Sequence, residues 1–510
     1  MTLEGAGARV APAPEPSLMI LCPLVLALQL VGTASPVQPY VSFPEPGLDD
    51  PAAYDAYTTR LYRDSHGNAV QIYIDGKTGR VVHVWADGLN ESIGFTVRTA
   101  AVNEAPAAVA FGAGTATVGA AGGRRWLRYT LTLAGGRPMQ IGHFLLGSMR
   151  IERDFGYAGK GRDPLDAPPF VVPELARFAE RLGKPYRDRL VPEASMARGG
   201  VRWTLRVAQP SLDGRYNLWL TLSGDLRRAP ATLAGRVLTI RARGGEPVEI
   251  RVEIATDAPA LHPLTREAMF TDAFRRWADS ARDRRIEREI RGFELLSARE
   301  KLMAGLPNYA TYFGRDMFMT ALLMEPVWAD TMAEFVLAAA LAKLAPSGEV
   351  SHEEAVGGQA IRENVAAFLE TGDTALLGDL DATRENYWMV DDDFQLAVVA
   401  ARYFADPDVA AARKRRFLAR WGTALRKNLA YVAAQAAPYA REPVATNLVG
   451  FRRDPDGWWH PGSWRDSRVG YAGGRFAFDV NVVWVPAALR AIGTIDSALT
   501  AIGVAGIADA

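Results

Sequence analysis

The chain has little cysteine, little histidine and no excess of either charge. Its 510 residues include one Cys and six His, and 58 Lys and Arg balance 58 Asp and Glu. One cysteine excludes a disulfide framework and a cysteine-ligated zinc site. The charge balance argues against a nucleic-acid partner, because such proteins carry a basic surface. With 49% hydrophobic and 23% charged residues, the composition is that of a globular protein of several domains.

Long apolar runs are also scarce, and the one at the N-terminus is typical of an export signal. Residues 18–30 are almost uninterrupted apolar, and small residues follow at 32–34. The run is shorter than the ~20 residues that span a membrane, which favours a signal peptide over 1–34. A buried helix is the alternative, but the Pro-rich linker predicted at 35–54 gives it nothing to pack against. We therefore expect a periplasmic or secreted protein with no membrane contact after cleavage, since no other stretch has the length and apolarity of a span.

Strand signals without intervening helical patterns fill residues 55–260. Alternating segments such as 126–133 and 248–254 are separated by Gly, Pro or Asp. Residues 69–74 and 81–85 flank the sequence DGKTG, which supplies glycine where a tight hairpin needs a positive φ. This spacing predicts an antiparallel β-sandwich.

The period of the apolar residues becomes helical near residue 263. Apolar residues from Met269 to Phe293 recur at helical spacing and predict a linker helix over 261–305, with a solvated charged face. Further helical patterns make 306–510 an all-α domain. They lie at 317–324, 328–344, 359–370, 392–405, 409–437 and 480–493.

Four segments of the α half place acidic residues beside aromatic ones. They are YATYFGRD (309–316), GEVSHEE (348–354), YWMVDDD (387–393) and WWHPGSWRD (458–466). Flat aromatic rings stack on the apolar faces of sugars, and carboxylates and Arg bond their hydroxyls. Glycoside hydrolysis also needs two carboxyl groups, one with a pKa raised by an apolar surround. The segments therefore predict a carbohydrate site without a cofactor.

Each acid also has a purely structural interpretation. Asp316, Asp393 and Asp479 are candidate helix N-caps, which accept bonds from free N–H groups. Asp316 is also a candidate ion-pair partner of the arginine before it. A metal site is not expected, because HEE (352–354) lacks the spacing of a zinc motif and DDD (391–393) lacks that of a calcium loop.

Three sequence motifs, two of them within these segments, resemble those of the six-hairpin glycosidases. YFGRD (312–316) is similar to the FGRD segment of the glucosidase domain of glycogen debranching enzymes. WRDS (464–467) is similar to the W-M-D segment of that family, and FDVNVVW (478–484) to the helix that follows it. The β half and the linker helix resemble the N-terminal part of bacterial glucoamylase-type enzymes. The resemblance implies an (α/α)6 toroid in the helical half.

The resemblance also implies a function. It is that of an exported glycoside hydrolase acting on the non-reducing end of an α-glucan-like saccharide, with an inverting acid/base mechanism. The Arg and Asp of FGRD hold the terminal sugar in that family, and the Asp of W-M-D is the general acid, which makes Asp466 the candidate catalytic residue. The candidate substrate-binding residues are Tyr312, Arg315, Asp316, His352, Glu353, Glu354, Trp388, Asp391, Asp392, Asp393, Trp464 and Arg465.

The second carboxyl group is missing from the place that the resemblance implies. The family's base is a Glu late in the toroid, whereas the last glutamate here is Glu442, ahead of Asp466. We therefore expect an incomplete toroid over 306–510, the front part of a longer enzyme, with exposed apolar helix faces and weak or no hydrolysis. The alternative is a non-catalytic carbohydrate-binding protein or an inactive remnant. Glycoside phosphorylases and epimerases with this toroid are further alternatives.

Overall fold

The predicted succession of an antiparallel β region and a helical region is confirmed. The predicted export signal lies outside the described residues, apart from Ala34. The computed structural model describes residues 34–86, 91–100, 108–148, 150–158, 165, 177, 189–454, 456–467 and 469–506.

Sixteen strands make up the described part of the β half. They are β1 (Ser35–Val37), β2 (Val41–Phe43), β3 (Tyr57–Arg63), β4 (Ala69–Asp75), β5 (Arg80–Trp85), β6 (Ser92–Thr99), β7 (Val109–Phe111), β8 (Ala116–Ala121), β9 (Arg124–Leu133), β10 (Met139–Leu146), β11 (Glu193–Gly199), β12 (Arg202–Pro210), β13 (Asn217–Asp225), β14 (Ala231–Ala234), β15 (Val237–Ile240) and β16 (Val248–Thr256).

These strands form two eight-stranded antiparallel sheets. The first has the order β1-β8-β9-β16-β13-β12-β11, with β7 paired to β9, and the second has the order β14-β15-β10-β6-β5-β4-β3-β2. Alternate side chains of both sheets enter one shared core, for example Ile72 and Ile74 of β4 and Leu127 and Leu131 of β9. The alternation in the sequence therefore reports which face of each strand is buried.

The predicted hairpin between β4 and β5 is present and is closed by its own side chains. The Asp75 carboxylate accepts the N–H of Lys77 at 2.8 Å. Gly79 adopts a φ of +70°, a conformation that glycine reaches without strain. The DGKTG sequence thus determines the turn.

The Pro-rich segment 35–54, predicted as a linker, contributes an edge strand to each sheet. β1 pairs with β8, and β2 pairs with β3. Both are outermost strands and pair with a neighbour on one side only. A proline, which has no N–H to donate, is therefore tolerated there. Proline content alone therefore does not separate a linker from an edge strand.

The described elements also include ten α-helices, three short 3-10 helices and a third sheet of two strands. The short strands β17 (Glu353–Ala355) and β18 (Arg384–Asn386) pair antiparallel. A π-helical turn, Val480–Trp484, leads directly into the last helix. The helices are α1 (Ile151–Ala158), α2 (Arg266–Met269), α3 (Asp272–Ala281), α4 (Arg284–Leu296), α5 (Gly314–Met324), α6 (Asp330–Leu341), α7 (Gly357–Thr371), α8 (Asp391–Ala405), α9 (Ala411–Arg441) and α10 (Val485–Ala501).

The apolar stripe predicted as one linker helix is divided among α2, α3 and α4. The first break is the extended residue Phe270, and the second is Arg282, which has a φ of +49°. Thr271 and Asp283 then cap the next helices by accepting backbone N–H bonds. The stripe continues across both breaks because the three helices face the same core.

That core is centred on α8, which is buried along most of its length. α8 packs against α5, α6, α9 and α10. The β half meets the helical half at α7, where Ile361, Val365 and Phe368 pack on Leu190 and Leu212. Leu306, in the chain before α5, also packs against the β half.

One helix in the described ranges, Val480–Ala501, is by length and composition apolar enough to cross a membrane. This differs from the expectation that no such stretch follows residues 18–30. A core helix of a soluble protein meets the same criteria, and one face of α10 is buried in the helical core. The buried residues are Ala488, Ala491, Ile495 and Leu499.

Candidate functional site

The starts of α5 and α8 meet on either side of the segment before β17. The N–H of Gly314, the first residue of α5, donates to the carbonyl oxygen of His352 at 2.7 Å. A Cβ at position 314 would lie 2.7 Å from the Ser351 carbonyl oxygen, so a larger residue does not fit without a shift. The glycine of FGRD therefore allows the arginine that follows it to reach this segment.

A chain of three side chains runs from α8 to α5. Arg315 Nη2 lies 3.1 Å from His352 Nε2, and His352 Nδ1 lies 3.0 Å from Asp392 Oδ2. A guanidinium only donates, so Nε2 accepts and the Nδ1–H donates to Asp392. His352 and Asp392 are buried. The two neighbours thus select the neutral Nδ1–H tautomer of His352.

Asp391 is a second buried neighbour of the arginine. Its Oδ2 lies 3.5 Å from Arg315 Nη1, and neither of its oxygens has a hydrogen-bond partner among the described residues. Burial, followed by the charge of Asp392, raises the pKa of Asp391 to about 7, although Arg315 opposes the shift. A substantial fraction of Asp391 is therefore protonated at neutral pH.

The third acid of the run has a different environment. Asp393 Oδ1 accepts the N–H of Val350 at 2.7 Å, which ties α8 to the segment before β17. Burial and the nearby Asp392 raise the pKa of Asp393 well above its ordinary value. The structure places Asp393 inside the fold as a structural tie.

The glutamates of the HEE sequence are also held by internal partners. Glu353 forms an ion pair with Arg150, which comes from the β half. Glu354 accepts bonds from Lys343 and from the N–H of Tyr312, and Lys301 lies 3.7 Å away. Burial works against ionisation, but the two lysines hold the pKa of Glu354 below its ordinary value.

Tyr312 is buried beneath this network. Lys343 Nζ lies 5.2 Å from the centre of the Tyr312 ring. The Tyr312 hydroxyl has no hydrogen-bond partner among the described residues. Burial and nearby acids, Asp392 first, raise the pKa of Tyr312 well above its ordinary value, so the hydroxyl keeps its proton.

An open pocket of about 430 Å³ lies beside α5. Arg315, Asp316 and the exposed Trp464 contribute to its wall. The guanidinium of Arg465 lies over the Trp464 ring, with its central carbon 4.5 Å from the ring centre. The rest of the wall is mostly apolar and comes from α4, α5 and the chain between them, with Trp328 from the loop after α5. It includes Phe293, Leu296, Met303, Met317 and Leu323.

The fourth aromatic segment is attached to the start of α8. The N–H of Val390 donates to the carbonyl oxygen of Gly462 at 2.7 Å. The rings of Trp388 and His460 lie 4.7 Å apart between centroids, and Trp388 is partly exposed. The structure thus brings segments 387–393 and 458–466 together, as a shared site requires.

Asp466 is not brought to the pocket with Trp464. It is exposed, and it is not among the described residues that line the pocket. It therefore lacks the apolar surround that a general acid needs. Among the described lining residues, Asp316 provides the carboxylate.

None of the three acids makes the side-chain bond of an N-cap, although Asp479 occupies the N-cap position of the π-helical turn. The N-caps of α5 and α8 are Phe313 and Val390, and neither makes a side-chain cap bond. Asp479 accepts bonds from Ser463 at 2.7 Å and from Tyr471 at 3.2 Å, which fixes the loop that bears Trp464. Arg315 is bonded to His352 rather than to its sequence neighbour Asp316.

No protein-family model and no curated protein matches this chain. The resemblance to the six-hairpin glycosidases therefore rests on its motifs. Of these, 312–316 and 464–467 each contribute to one pocket wall. Within the described ranges there is no group of three or more His, Cys, Asp or Glu side chains arranged to hold a metal ion.

Sequence reasoning missed the cations that balance the buried acids. Lys301, Lys343 and Arg150 come from separate loops and helix ends and reach Glu354 and Glu353 only in the folded chain. No local pattern marks them. The one usable signal is the pair of consecutive glutamates itself, because buried carboxylates require cations nearby.

Proposed function

We propose that the chain is an exported carbohydrate-active protein of the six-hairpin glycosidase type, and that it binds the non-reducing end of an α-glucan-like saccharide. The observation that supports this most directly is one pocket wall shared by Arg315, Asp316 and the exposed Trp464. The volume of about 430 Å³ falls in the usual range for small-ligand pockets. The helical half is proposed to be an (α/α)6-toroid-like domain, and this part of the proposal rests on the motifs 312–316, 464–467 and 478–484.

Each pocket residue has a role that suits a sugar. The Trp464 ring offers a flat face to the C–H groups of a pyranose. Arg315 donates to hydroxyl oxygens, and the Asp316 carboxylate accepts from hydroxyl groups. The apolar side chains of α4 and α5 exclude water around these bonds, which strengthens them.

Hydrolysis is proposed to use Asp466 as the general acid. Asp466 follows Trp464 by two residues, so closure of this loop over a bound sugar would carry it toward the scissile bond. An inverting enzyme also needs a base roughly 6.5–9.5 Å from the acid. We expect slow hydrolysis, because Asp466 is exposed in this conformation.

The second candidate function is carbohydrate binding without catalysis. The observation that favours it is the absence of Asp466 from the described pocket wall, which leaves Asp316 as the carboxylate there. Binding needs only the arginine, that carboxylate and the tryptophan. A catalytic pair needs two carboxyl groups facing one bond.

Titration of the full chain with maltotriose, followed by tryptophan fluorescence and calorimetry, tests binding. We expect saturable binding, and we expect Trp464→Ala to weaken it by about tenfold or more. Stacking of one ligand ring on an aromatic side chain contributes ~1–3 kcal/mol to the binding free energy. Trp458→Ala is the matched control, because Trp458 is 57% exposed against 56% for Trp464 but does not line the pocket. Equal affinity of all three proteins would place the ligand elsewhere.

Glucose release from maltotriose and soluble glycogen separates the two candidates. If the chain is a hydrolase, Asp466→Asn should lower the rate by on the order of 10²–10⁴ while binding is retained. If wild type and Asp466→Asn both bind and neither releases glucose, the non-catalytic function is the correct one. Absence of binding by the wild-type chain would contradict both.

A further inference from the structure

We infer that His352 and Asp392 position the Arg315 side chain for the pocket and do not themselves contact the saccharide. The inference rests on the proposed function for the identity of the ligand, whereas the positioning itself rests on contacts in the described residues. It assigns His352 and Asp392 a different role from the substrate contact that the sequence suggests. It also separates them from Asp316 and Trp464, which line the pocket.

The first argument is burial. Arg315 reaches both the pocket and the interior, with 12% of its side chain exposed. His352 and Asp392 are almost fully buried behind it, and neither is among the described residues that line the pocket. A saccharide in the pocket therefore meets the guanidinium first.

The second argument is the direction of the hydrogen bonds. Asp392 Oδ2 accepts only if the Nδ1 of His352 bears the proton, and this leaves the Nε2 lone pair facing Arg315 Nη2. The other neutral tautomer would set an N–H against the N–H of the guanidinium. Asp392 therefore acts on Arg315 from two hydrogen bonds away, by selecting the tautomer of the ring between them.

The third argument is that the two terminal nitrogens of the guanidinium face different side chains, although Nη1 makes no hydrogen bond within the described residues. Arg315 Nη1 faces Asp391 Oδ2 at 3.5 Å, so the two terminal nitrogens have different partners. The edge of the His352 ring is fixed in turn by the Phe313 ring, at 5.6 Å between centroids and 86° between planes. A long flexible side chain is thus ordered before a ligand arrives, and less conformational freedom is lost on binding.

The groups that face the His352 ring come from two helices. Arg315 is on α5, and Asp391 and Asp392 are on α8. A structural role alone would need only a well-packed ring, whereas positioning requires one tautomer.

The first experiment measures that tautomer without any saccharide. The full chain is labelled with ¹⁵N-histidine, and long-range ¹H–¹⁵N spectra are recorded at about pH 7.5. His352→Gln identifies the resonances by their loss. We expect a neutral ring with the proton on Nδ1. A ring protonated on Nε2, or on both nitrogens, would overturn the inference whatever the chain binds.

The second experiment uses two substitutions of His352, each of which puts an amide group in the place of one ring nitrogen. The amide of Gln reaches the place of Nε2, where its oxygen accepts from Arg315, and the amide of Asn occupies the place of Nδ1 and bonds only to Asp392. We expect His352→Gln to keep maltotriose affinity within about threefold and His352→Asn to lose about tenfold, the scale of one hydrogen bond to a charged group. The reverse order would contradict positioning through Nε2.

A double-mutant cycle distinguishes positioning from direct contact. If His352 acts only through Arg315, His352→Asn should add no further loss of affinity in an Arg315→Ala background. Independent losses that multiply would show that His352 contacts the saccharide. The matched control is His83→Gln, since His83 is a fully buried histidine of the β half with two hydrogen bonds, to Ile93 and Tyr129. It should lower the melting temperature and leave the affinity of the folded protein unchanged.

A further measurement tests the positioning role if the wild-type chain does not bind maltotriose. Arginine-labelled protein then reports the exchange of the Arg315 side-chain N–H with water. Positioning predicts faster exchange in His352→Asn and unchanged exchange in His83→Gln. That result would keep the positioning role and reject the proposed ligand, whereas equal exchange in all three proteins would reject the positioning role.

Discussion

At the scale of single residues, Gly314 sets how closely α5 approaches the segment before β17. A Cβ there would lie 2.7 Å from the Ser351 carbonyl oxygen and 3.2 Å from Asp392 Oδ2. We expect Gly314→Ala to destabilise the protein by roughly 1–3 kcal/mol, because the facing atom at the shorter distance is backbone. Urea unfolding measures the change. In contrast, Gly292→Ala in α4 meets no atom within 4 Å and should stabilise by roughly 0.5–1 kcal/mol, so equal effects would contradict the argument.

The pKa of Asp391 gives a second prediction at this scale. Burial, then the charge of Asp392, raises it from 3.8 to about 7. Between these values the folded state holds a proton that the unfolded state has lost, so the carboxyl lowers stability as the pH rises. The stability of Asp391→Asn relative to wild type should therefore increase from about pH 5 to about pH 8, by on the order of 1–3 kcal/mol. Chemical unfolding at both pH values tests it, and a gain that is the same at both would contradict the raised pKa.

At the scale of elements, the breaks between helices are where the sequence is least informative. The apolar period predicted α5 to α10, because each buries apolar side chains, those of α7 against the β half and those of the other five in the helical core. The same period hid the division of the linker segment into α2, α3 and α4. Arg282 ends α3 in a left-handed conformation that glycine usually occupies, and the sequence gives no glycine to mark it.

The break at Arg282 provides a prediction, and the same Arg→Gly substitution at another position of α3 is its control. Arg282→Gly should stabilise the protein by roughly 0.5–1 kcal/mol, because glycine adopts a φ of +49° without the steric cost of a Cβ. Arg276→Gly, at an exposed position inside α3, should destabilise by about 1 kcal/mol. Thermal unfolding of both variants measures the opposite signs. Destabilisation by Arg282→Gly would mean that α3 and α4 are joined differently.

The candidate site was predictable only in part, because some of its contacts depend on how distant segments pack together. FGRD and the aromatic loop marked Arg315, Asp316 and Trp464, since these residues carry their chemistry in local sequence. The contacts of His352 depend on where α8 lies against α5, which no local pattern encodes. The exposure of Asp466 depends on the conformation of a loop, so its predicted role remains a prediction.

At the scale of the whole molecule, apolar side chains remain exposed where the chain enters α10. Phe478 is 78% exposed, Val482 is 55% exposed and Val483 is 50% exposed. Contiguous apolar surface of this kind promotes association. We therefore expect the wild-type chain to self-associate as its concentration rises, as measured by light scattering and sedimentation.

Replacing Val482 and Val483 together with lysine should shift the protein toward the monomer, because exposed lysine is well hydrated and adds like charge. Melting should change little, since neither side chain is buried. Val480→Lys is the control, because Val480 is 1% exposed in the helical core and an unpaired charge there should unfold that half. If the Val482/Val483 variant associates as strongly as wild type, the contact lies on another face. If it unfolds like Val480→Lys, the exposed placement of Val482 and Val483 would be incorrect.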